Sequence, residues 1–549
     1  MNLPLSKTEI RPKFDYLQQI LLSQVQDVAT ETPLQLLTKL SKKTGHKLWI
    51  KREDLQPVHS FKVRGAYQKL YRLKQQLQPG DTTHVITASA GNHAQGVALS
   101  AKKLSMKAVI YMPLTTPEIK VESVQALGAD VKLHGITFDE TCRHAMALAA
   151  QSNIPFIPPF DDEDVIVGQG TVARELLNQH SELDMVFVPV GGGGLLAGMS
   201  LYIKALLPQV KVIGVEVDES ACLQAALRAG HPVDLSHVGI FADGVAVKRV
   251  GDETFRLCQQ FCDDVITVNS DEVCAAIKDI FNDCRAIAEP SGALSLAGAK
   301  RYLAEHASNL ASEDMTGSPL NIATILSGAN LNFDSLRYVS ERTALGEHRE
   351  AILAVTIDER PGSFLGFCEA IGGRVITEFN YRMNAVTDSS TATIYVGLKL
   401  NGGLDDLDEI KVSLAEKQYQ FIDLTRDETA KLHVRHMIGG VKRNSTHERI
   451  FSFEFPEYPG ALLNFLRQLG HRWNITLFHY RNHGAARGDV LVGFEVEPEH
   501  QHQFTQFLEH VRDTKGFAWC EETSNPGYQL FLGDVSSATQ GETCTSLSE

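Results

Sequence analysis

From about Thr32 to Asn332, short apolar runs rich in β-branched residues alternate with stretches whose apolar positions recur every three or four residues. His84–Ala88 (HVITA), Ala108–Met112 (AVIYM), Val186–Val190 (VFVPV), Val212–Val217 (VIGVEV) and Ile322–Leu326 (IATIL) read as strands. Val63, Ala66, Tyr67, Leu70, Leu73 and Leu77 trace one intervening helix. Such alternation predicts an α/β fold, a mostly parallel sheet with helices on both faces. Ligands of such sheets bind in the loops at the carboxyl ends of the strands. Met185 to Ile203 is uncharged and nominally long enough to span a bilayer. Pro189 and four successive glycines interrupt it, so it parses as strand, turn and helix.

The last third follows another pattern. Ala351 onward reads AILAVTIDERPGSFLGFCEAIGGRVITEFNYR, and Arg449 onward reads RIFSFEFPEYPGALLNFLRQLGHRWNITLFHYR. Pro361-Gly362 aligns with Pro459-Gly460, Ile371-Gly372 with Leu469-Gly470, and Phe379, Tyr381 and Arg382 with Phe478, Tyr480 and Arg481. One extra residue falls between the second and third matches. Two copies at this spacing are a duplicated domain, since solenoid periods are shorter. Each copy reads strand, PG turn, amphipathic helix, strand. The expected organisation is an N-terminal extension over 1–30, an α/β domain over 31–342 and two subdomains over 348–425 and 446–522. The Ser/Thr/Gly-rich tail over 536–549 is expected to be disordered.

Composition narrows the classes. A chain of 549 residues exceeds one hydrophobic core, and 43% apolar with 22% charged residues is ordinary globular composition. A net charge of -15 argues against nucleic-acid or anionic-membrane partners, which need a basic face. The nine cysteines form no CxxC pair and no zinc-like cluster with histidine, as expected of reduced thiols in the cytoplasm and of no metal site. Lys7, Glu9, Arg11, Lys13 and Asp15 precede any apolar run, unlike a secretory signal.

Four loops carry the candidate chemistry. Ser60-Phe61-Lys62-Val63-Arg64-Gly65-Ala66 opens a helix, with Ser60 as the expected N-cap and Lys62 in the first turn. There the positive helix end disfavours an ammonium. Thr87 to Gly96 follows a strand, and small residues leave Ser89, Asn92 and main-chain N–H groups to grip a carboxylate. Gly191 to Gly194 follows VFVPV and opens a helix, where N–H groups converge on a phosphate. No Lys-Ser or Lys-Thr follows, so it is not a P-loop. Gly192, Gly194 and Ala197 also fit GxGxxA, and Glu216 ends the next strand, so a dinucleotide site stays open. Ser327-Gly328-Ala329-Asn330 follows a strand, and Glu289-Pro290-Ser291-Gly292-Ala293 precedes a helix.

Taken together, KREDLQPVHSFKVRGA, ASAGNHAQG, VPVGGGGL, AEPSGA and LSGAN resemble the fold type II pyridoxal-phosphate enzymes, which are tryptophan synthase β-like. Within them the chain resembles the biosynthetic threonine dehydratases (threonine deaminases), in motif order and spacing. The C-terminal repeat resembles their paired α+β ACT-like regulatory subdomains. The resemblance implies that Lys62 holds pyridoxal 5'-phosphate covalently, that Gly191, Gly192, Gly193, Gly194 and Leu195 cradle its phosphate, and that Phe61 and Glu289 adjoin it. Asn92 would bond the pyridine 3-hydroxyl, and Ser327 would sit at the pyridine nitrogen. Ser89, Ala90, Gly91, Asn92 and His93 would take the carboxylate of L-threonine. It also implies isoleucine biosynthesis, a homotetramer, inhibition by isoleucine opposed by valine, and effector positions at Arg374 and Glu454.

Three other readings stay open at this point. A serine or degradative threonine dehydratase shares the loops but need not carry the repeat. An NAD-dependent enzyme uses the glycines and Glu216 but leaves Lys62 and Ser327 idle. A non-catalytic amino-acid sensor would not need Lys62.

Overall fold

Four sheets form in the computed structural model, two in each of two units, residues 1–335 and 336–549. The structure describes residues 13–531 apart from 79–82, 307–318, 334, 359–362, 373, 375, 382–390, 437–446, 457–464, 466–467, 470–471, 482–486 and 516. The expected disordered tail and the two PG turns lie outside the described residues.

In the first unit, Lys47–Arg52, Asn321–Leu326, Met185–Pro189, Lys211–Val217 and Asp264–Val268 run parallel in that spatial order. Leu34–Leu36 adds an antiparallel edge. His84–Ala88 and Lys107–Met112 do not join this sheet. They pair with each other and with Asp130–Leu133 in a separate parallel sheet, as successive βαβ units tend to do. The uncharged Met185–Ile203 stretch divides as expected, into a strand ending at Pro189 and a helix beginning at Gly194. Among the described residues no helix is long and apolar enough to cross a membrane.

One helix, Glu163–Gln179, is the rail on which the site is mounted. A Cβ on its Gly168 would lie 2.5 Å from the Arg64 carbonyl oxygen, so the helix Lys62–Gln76 runs in backbone contact with it. On the other side, a Cβ on Gly198 of the helix Gly194–Leu206 would lie 2.5 Å from the Ile166 carbonyl oxygen. Both positions need the missing side chain for close approach. The two helices that begin at Lys62 and at the glycine loop are thereby fixed to one support.

Charge is buried at the same junction. Arg64 is fully enclosed between Glu53 (Nε to Oε2, 2.7 Å) and Glu175 (Nη1 to Oε1, 2.6 Å). Lys51 Nζ donates to Glu175 at 2.8 Å, and Thr32 Oγ1 donates to Glu53 at 2.6 Å. Burial alone would push the Glu53 carboxyl up, but Arg64 and Lys51 outweigh it and hold it below the usual range. The cluster ties the strand Lys47–Arg52 to both helices.

In the second unit the sheets repeat. Ile376–Tyr381, Thr391–Lys399, Glu350–Asp358 and Gln420–Asp423 form one antiparallel sheet in that order. Asn474–Arg481, Arg487–Glu495, Glu448–Pro456 and Ala518–Glu521 form the other. Even the bulges correspond, at Ile376/Glu378 and at Ile475/Leu477. The offset grows from 98 between Glu350 and Glu448 to 99 between Ile376 and Ile475, which locates the extra residue between those strands.

Removing one member of a buried ion cluster strands the others, at a cost of about 3–5 kcal/mol. Arg64→Ala should lower unfolding stability by that amount in urea titration. A change within about 0.5 kcal/mol, as at ordinary surface sites, would show that Glu53 and Glu175 find other partners.

Candidate active site

Lys62 is the first residue of its helix, and Phe61 in the αR region precedes it. Ser60 does not cap the helix as expected. It is drawn into a bridge with Gly328, and its buried hydroxyl has no hydrogen-bond partner among the described residues. Lys62 Nζ donates to the Pro159 carbonyl at 3.0 Å and lies 5.4 Å from the Phe61 ring centroid. Burial pushes the amine down to about 8, against the opposing pull of Glu289. The lowered value leaves a useful neutral fraction near neutral pH.

The glycine loop is shaped from outside. Gly193 takes φ 88°, a left-handed conformation that suits glycine. A Cβ on Gly192 would lie 2.2 Å from the Phe160 ring. Thr254 Oγ1 donates to the Gly192 carbonyl at 2.7 Å, and Cys222 Sγ to the Gly191 carbonyl at 3.4 Å. The Gly193 carbonyl accepts from Ala197 N. The carbonyls are thus engaged, while the N–H groups of Gly191 to Gly193 have no acceptor among the described residues. Together with Leu195 in the first turn of the following helix, that donor set fits a phosphate.

Asn92 begins the helix after the Ser89–Gly91 turn, in which Gly91 N donates to Ser89 Oγ at 3.2 Å. His93 is buried, and its Nε2 faces the Ile157 carbonyl at 3.1 Å. Burial, with a smaller push from Lys62, lowers this imidazole to about 3. His93 is therefore neutral, and it offers the loop its main chain rather than a cation. Ala90 adds no polar side chain to this turn. Ser327, at the end of Asn321–Leu326, is buried and donates to the Ser291 carbonyl at 3.2 Å.

Glu289 precedes the helix Pro290–Glu305 and accepts from Asn92 Nδ2 (2.6 Å), Ser291 Oγ (2.8 Å) and Asn330 N (3.1 Å). Burial and Asp243 push its carboxyl up, while those bonds and Lys120 act in the other direction. Lys120 Nζ itself pairs with Asp243 at 2.6 Å. Lys62, Asn92, Glu289 and Ser327 thus belong to one connected region, and the glycine loop reaches it through Phe160, beside Pro159. Sequence reading missed Pro159, Phe160, Thr254 and Asn330. Only Asn330 stood in a quoted motif, and the others are set by tertiary contact.

Glu216 closes the dinucleotide reading. Both its carboxylate oxygens accept main-chain N–H groups, from Leu223 and Gln224, at 2.8 Å each. It is fully buried as an anchor for the helix Cys222–Ala229, so it is not presented to a ribose. In the second unit, Arg374 bonds Asp406 (2.7 Å) and Glu409 (3.1 Å), while Glu454 accepts from Arg487 (3.0 Å). They belong to different copies of the repeat.

In the cofactor-free protein, acylation of Lys62 by an amine-directed reagent should rise with pH around a midpoint of about 8. The sign follows from the lowered value, since the reactive neutral amine dominates above it. A midpoint shared with surface lysines would refute the enclosed amine.

The family model "Pyridoxal-phosphate dependent enzyme" matches residues 25–317, and "C-terminal regulatory domain of Threonine dehydratase" matches 341–434 and 439–532. The chain is 54% identical over 518 residues to "L-Threonine dehydratase biosynthetic IlvA" of Salmonella typhimurium, covering 94% of this chain and 97% of that protein. "Threonine dehydratase 1 biosynthetic, chloroplastic" of Solanum lycopersicum is 47% identical over 521 residues, covering 94% and 82%. Among solved structures, the processed form of threonine deaminase isoform 2 from Solanum lycopersicum aligns with TM-score 0.57 at 47% identity, over 60% of this chain and 93% of that one.

Proposed function

The chain belongs to the pyridoxal-phosphate dependent enzymes, in the branch of the biosynthetic threonine dehydratases with a C-terminal regulatory domain, and from that premise we propose how its residues divide the work. It is a lyase that converts L-threonine to 2-oxobutanoate and ammonia, a reaction that serves isoleucine synthesis. The full-length identity carries this reading, because it spans both the catalytic loops and the two copies of the repeat.

When bound, pyridoxal phosphate supplies an electron sink that acidifies the Cα proton of the amino acid. Lys62 is the residue that holds it, and its lowered amine is suited to take that proton as base. The N–H groups of Gly191 to Gly194 and Leu195 bind the phosphate. Ser327 would place a neutral hydroxyl at the ring nitrogen, exchanging its bond to the Ser291 carbonyl for one to that nitrogen, where a carboxylate would keep the nitrogen protonated and favour transamination instead. Asn92 would hydrogen-bond the ring 3-hydroxyl, and Phe61 and Glu289 would adjoin the ring. The Ser89–His93 turn holds the substrate carboxylate through hydroxyl and main-chain donors, since His93 is neutral. Threonine loses its β-hydroxyl as water, and hydrolysis of the released enamine yields the 2-oxo acid and ammonia.

The catalytic domain extends over 31–342, and the copies over 348–425 and 446–522 regulate it in a cytoplasmic homotetramer. Isoleucine binds the repeat and inhibits, valine opposes it, and Arg374 and Glu454 contribute to the effector sites. A ligand shifts such an assembly only through differential affinity for its two states.

Production of 2-oxo acid from L-threonine, with and without isoleucine, tests both halves. Suppression by isoleucine is the expected outcome, and an isoleucine-indifferent enzyme would remove the proposed effector. A chain cut near Glu347 should stay active and lose the inhibition; undiminished inhibition would place the effector outside the repeat. Lys62→Ala should lower turnover by about 10³-fold or more, and a near-normal rate would sink the assignment of the base.

A further inference from the structure

The orientation of one side-chain amide is decided by a chain of hydrogen bonds that runs from the Val58 main-chain carbonyl to the Glu289 carboxylate. Asn330 Nδ2 donates to the Val58 carbonyl at 2.8 Å, which settles which end of the Asn330 amide is nitrogen. The same nitrogen lies 2.7 Å from Asn92 Oδ1, so that atom of Asn92 must be the acceptor. At the other end, Asn92 Nδ2 donates to Glu289 Oε1 at 2.6 Å.

Glu289 is held in its accepting role by its remaining partners. Ser291 Oγ donates to the same oxygen at 2.8 Å, and the main-chain N–H of Asn330 donates to Oε2 at 3.1 Å. Gly328 closes the remaining side, because a Cβ there would lie 2.3 Å from Glu289 Oε1 and 3.2 Å from Asn92 Nδ2. Flipping the Asn92 amide would set its oxygen against a carboxylate and its nitrogen against an N–H donor. Each such reversal sets a part-buried polar group against its like and leaves it unpaired.

We infer that Glu289 and Asn330 are positioning residues, which lock the Asn92 amide so that it offers its second N–H, and not its carbonyl oxygen, to the phenolic oxygen of the pyridoxal ring. The inference rests on the proposed placement of Asn92 at the 3-hydroxyl and goes beyond it. Glu289, named from the family resemblance as a cofactor neighbour, acts through Asn92 instead of on the cofactor itself. A donor there favours the phenolate form of the ring, which carries the longer-wavelength absorption.

A double-mutant cycle on cofactor binding tests this, with titration of pyridoxal phosphate into the apoprotein followed by absorbance. Glu289→Gln replaces a group that only accepts there with one that can also donate, and so removes the bar to the flip. It should weaken binding about ten-fold and reduce the fraction of bound cofactor absorbing at longer wavelength. In the Asn92→Ala background the same substitution should change neither quantity. Asn330→Ala, which frees the other end of the amide, should show the same dependence on Asn92 and serves if Glu289→Gln fails to fold. Equal losses with and without Asn92 would overturn the positioning role while leaving Asn92 at the ring. An Asn92→Ala protein with unchanged affinity and spectrum would instead overturn the placement of Asn92, and the inference with it.

Discussion

Everything in the catalytic unit depends on a charged side chain placed where charge is costly. Arg64 sits two residues from Lys62, fully enclosed, with its guanidinium shared between Glu53 and Glu175. Such a cluster is poor evidence of net stability, because a well-packed apolar core can do as well. Its value is geometric. Each carboxylate accepts from a fixed fork, so the strand bearing Lys51, the helix bearing Arg64 and the helix bearing Glu175 have one satisfactory arrangement. Close approach at Gly168 and Gly198 then carries that arrangement to the glycine loop. Lys62 and the glycine loop are far apart in sequence, and these contacts bring them together.

Legibility in the sequence followed the range of the interactions. The strands at His84–Ala88, Met185–Pro189, Lys211–Val217 and Asn321–Leu326 could be read because their apolar runs are contiguous. Lys47–Arg52 could not, because its buried Lys51 and Arg52 look like surface residues until their ion-pair partners are known. Asp130–Leu133 is a largely exposed edge, so it carries no apolar run. The catalytic loops were legible as motifs, since each packs its chemistry into a few adjacent residues. Ser60 misled for the opposite reason. A serine before a helix is a good local cap, but the bridge to Gly328 draws it elsewhere.

The repeat shows how one fold tolerates two cores. The paired registers align Leu353 with Phe451, Val355 with Phe453 and Leu398 with Phe494. The helices Leu404–Glu416 and Gln501–Lys515 likewise set Leu407 and Ile410 where Phe504 and Phe507 stand. One copy has an aliphatic centre and the other an aromatic one, under the same strand order and the same bulge. Pattern decides the sheet, while side-chain volume is free to drift if it drifts together. Two copies with different cores need not respond equally to one small ligand.

The electrostatics of the site serve the same end as its geometry. The glycine loop has no Lys or Arg, and the next cation in sequence is Lys204, paired with Asp263. Lys120 is matched by Asp243, and His93 is neutral. Main-chain dipoles are therefore what the loop offers a phosphate, and dipoles compensate an anion locally without adding a mobile positive charge. An uncompensated phosphate would pull the Lys62 amine back toward its ammonium form. A fixed cation in its place would hold the phosphate but would also repel the proton that Lys62 receives as the proposed base. Neutral donors avoid both effects, and so a lysine of lowered basicity can accept a proton and return it within one turnover.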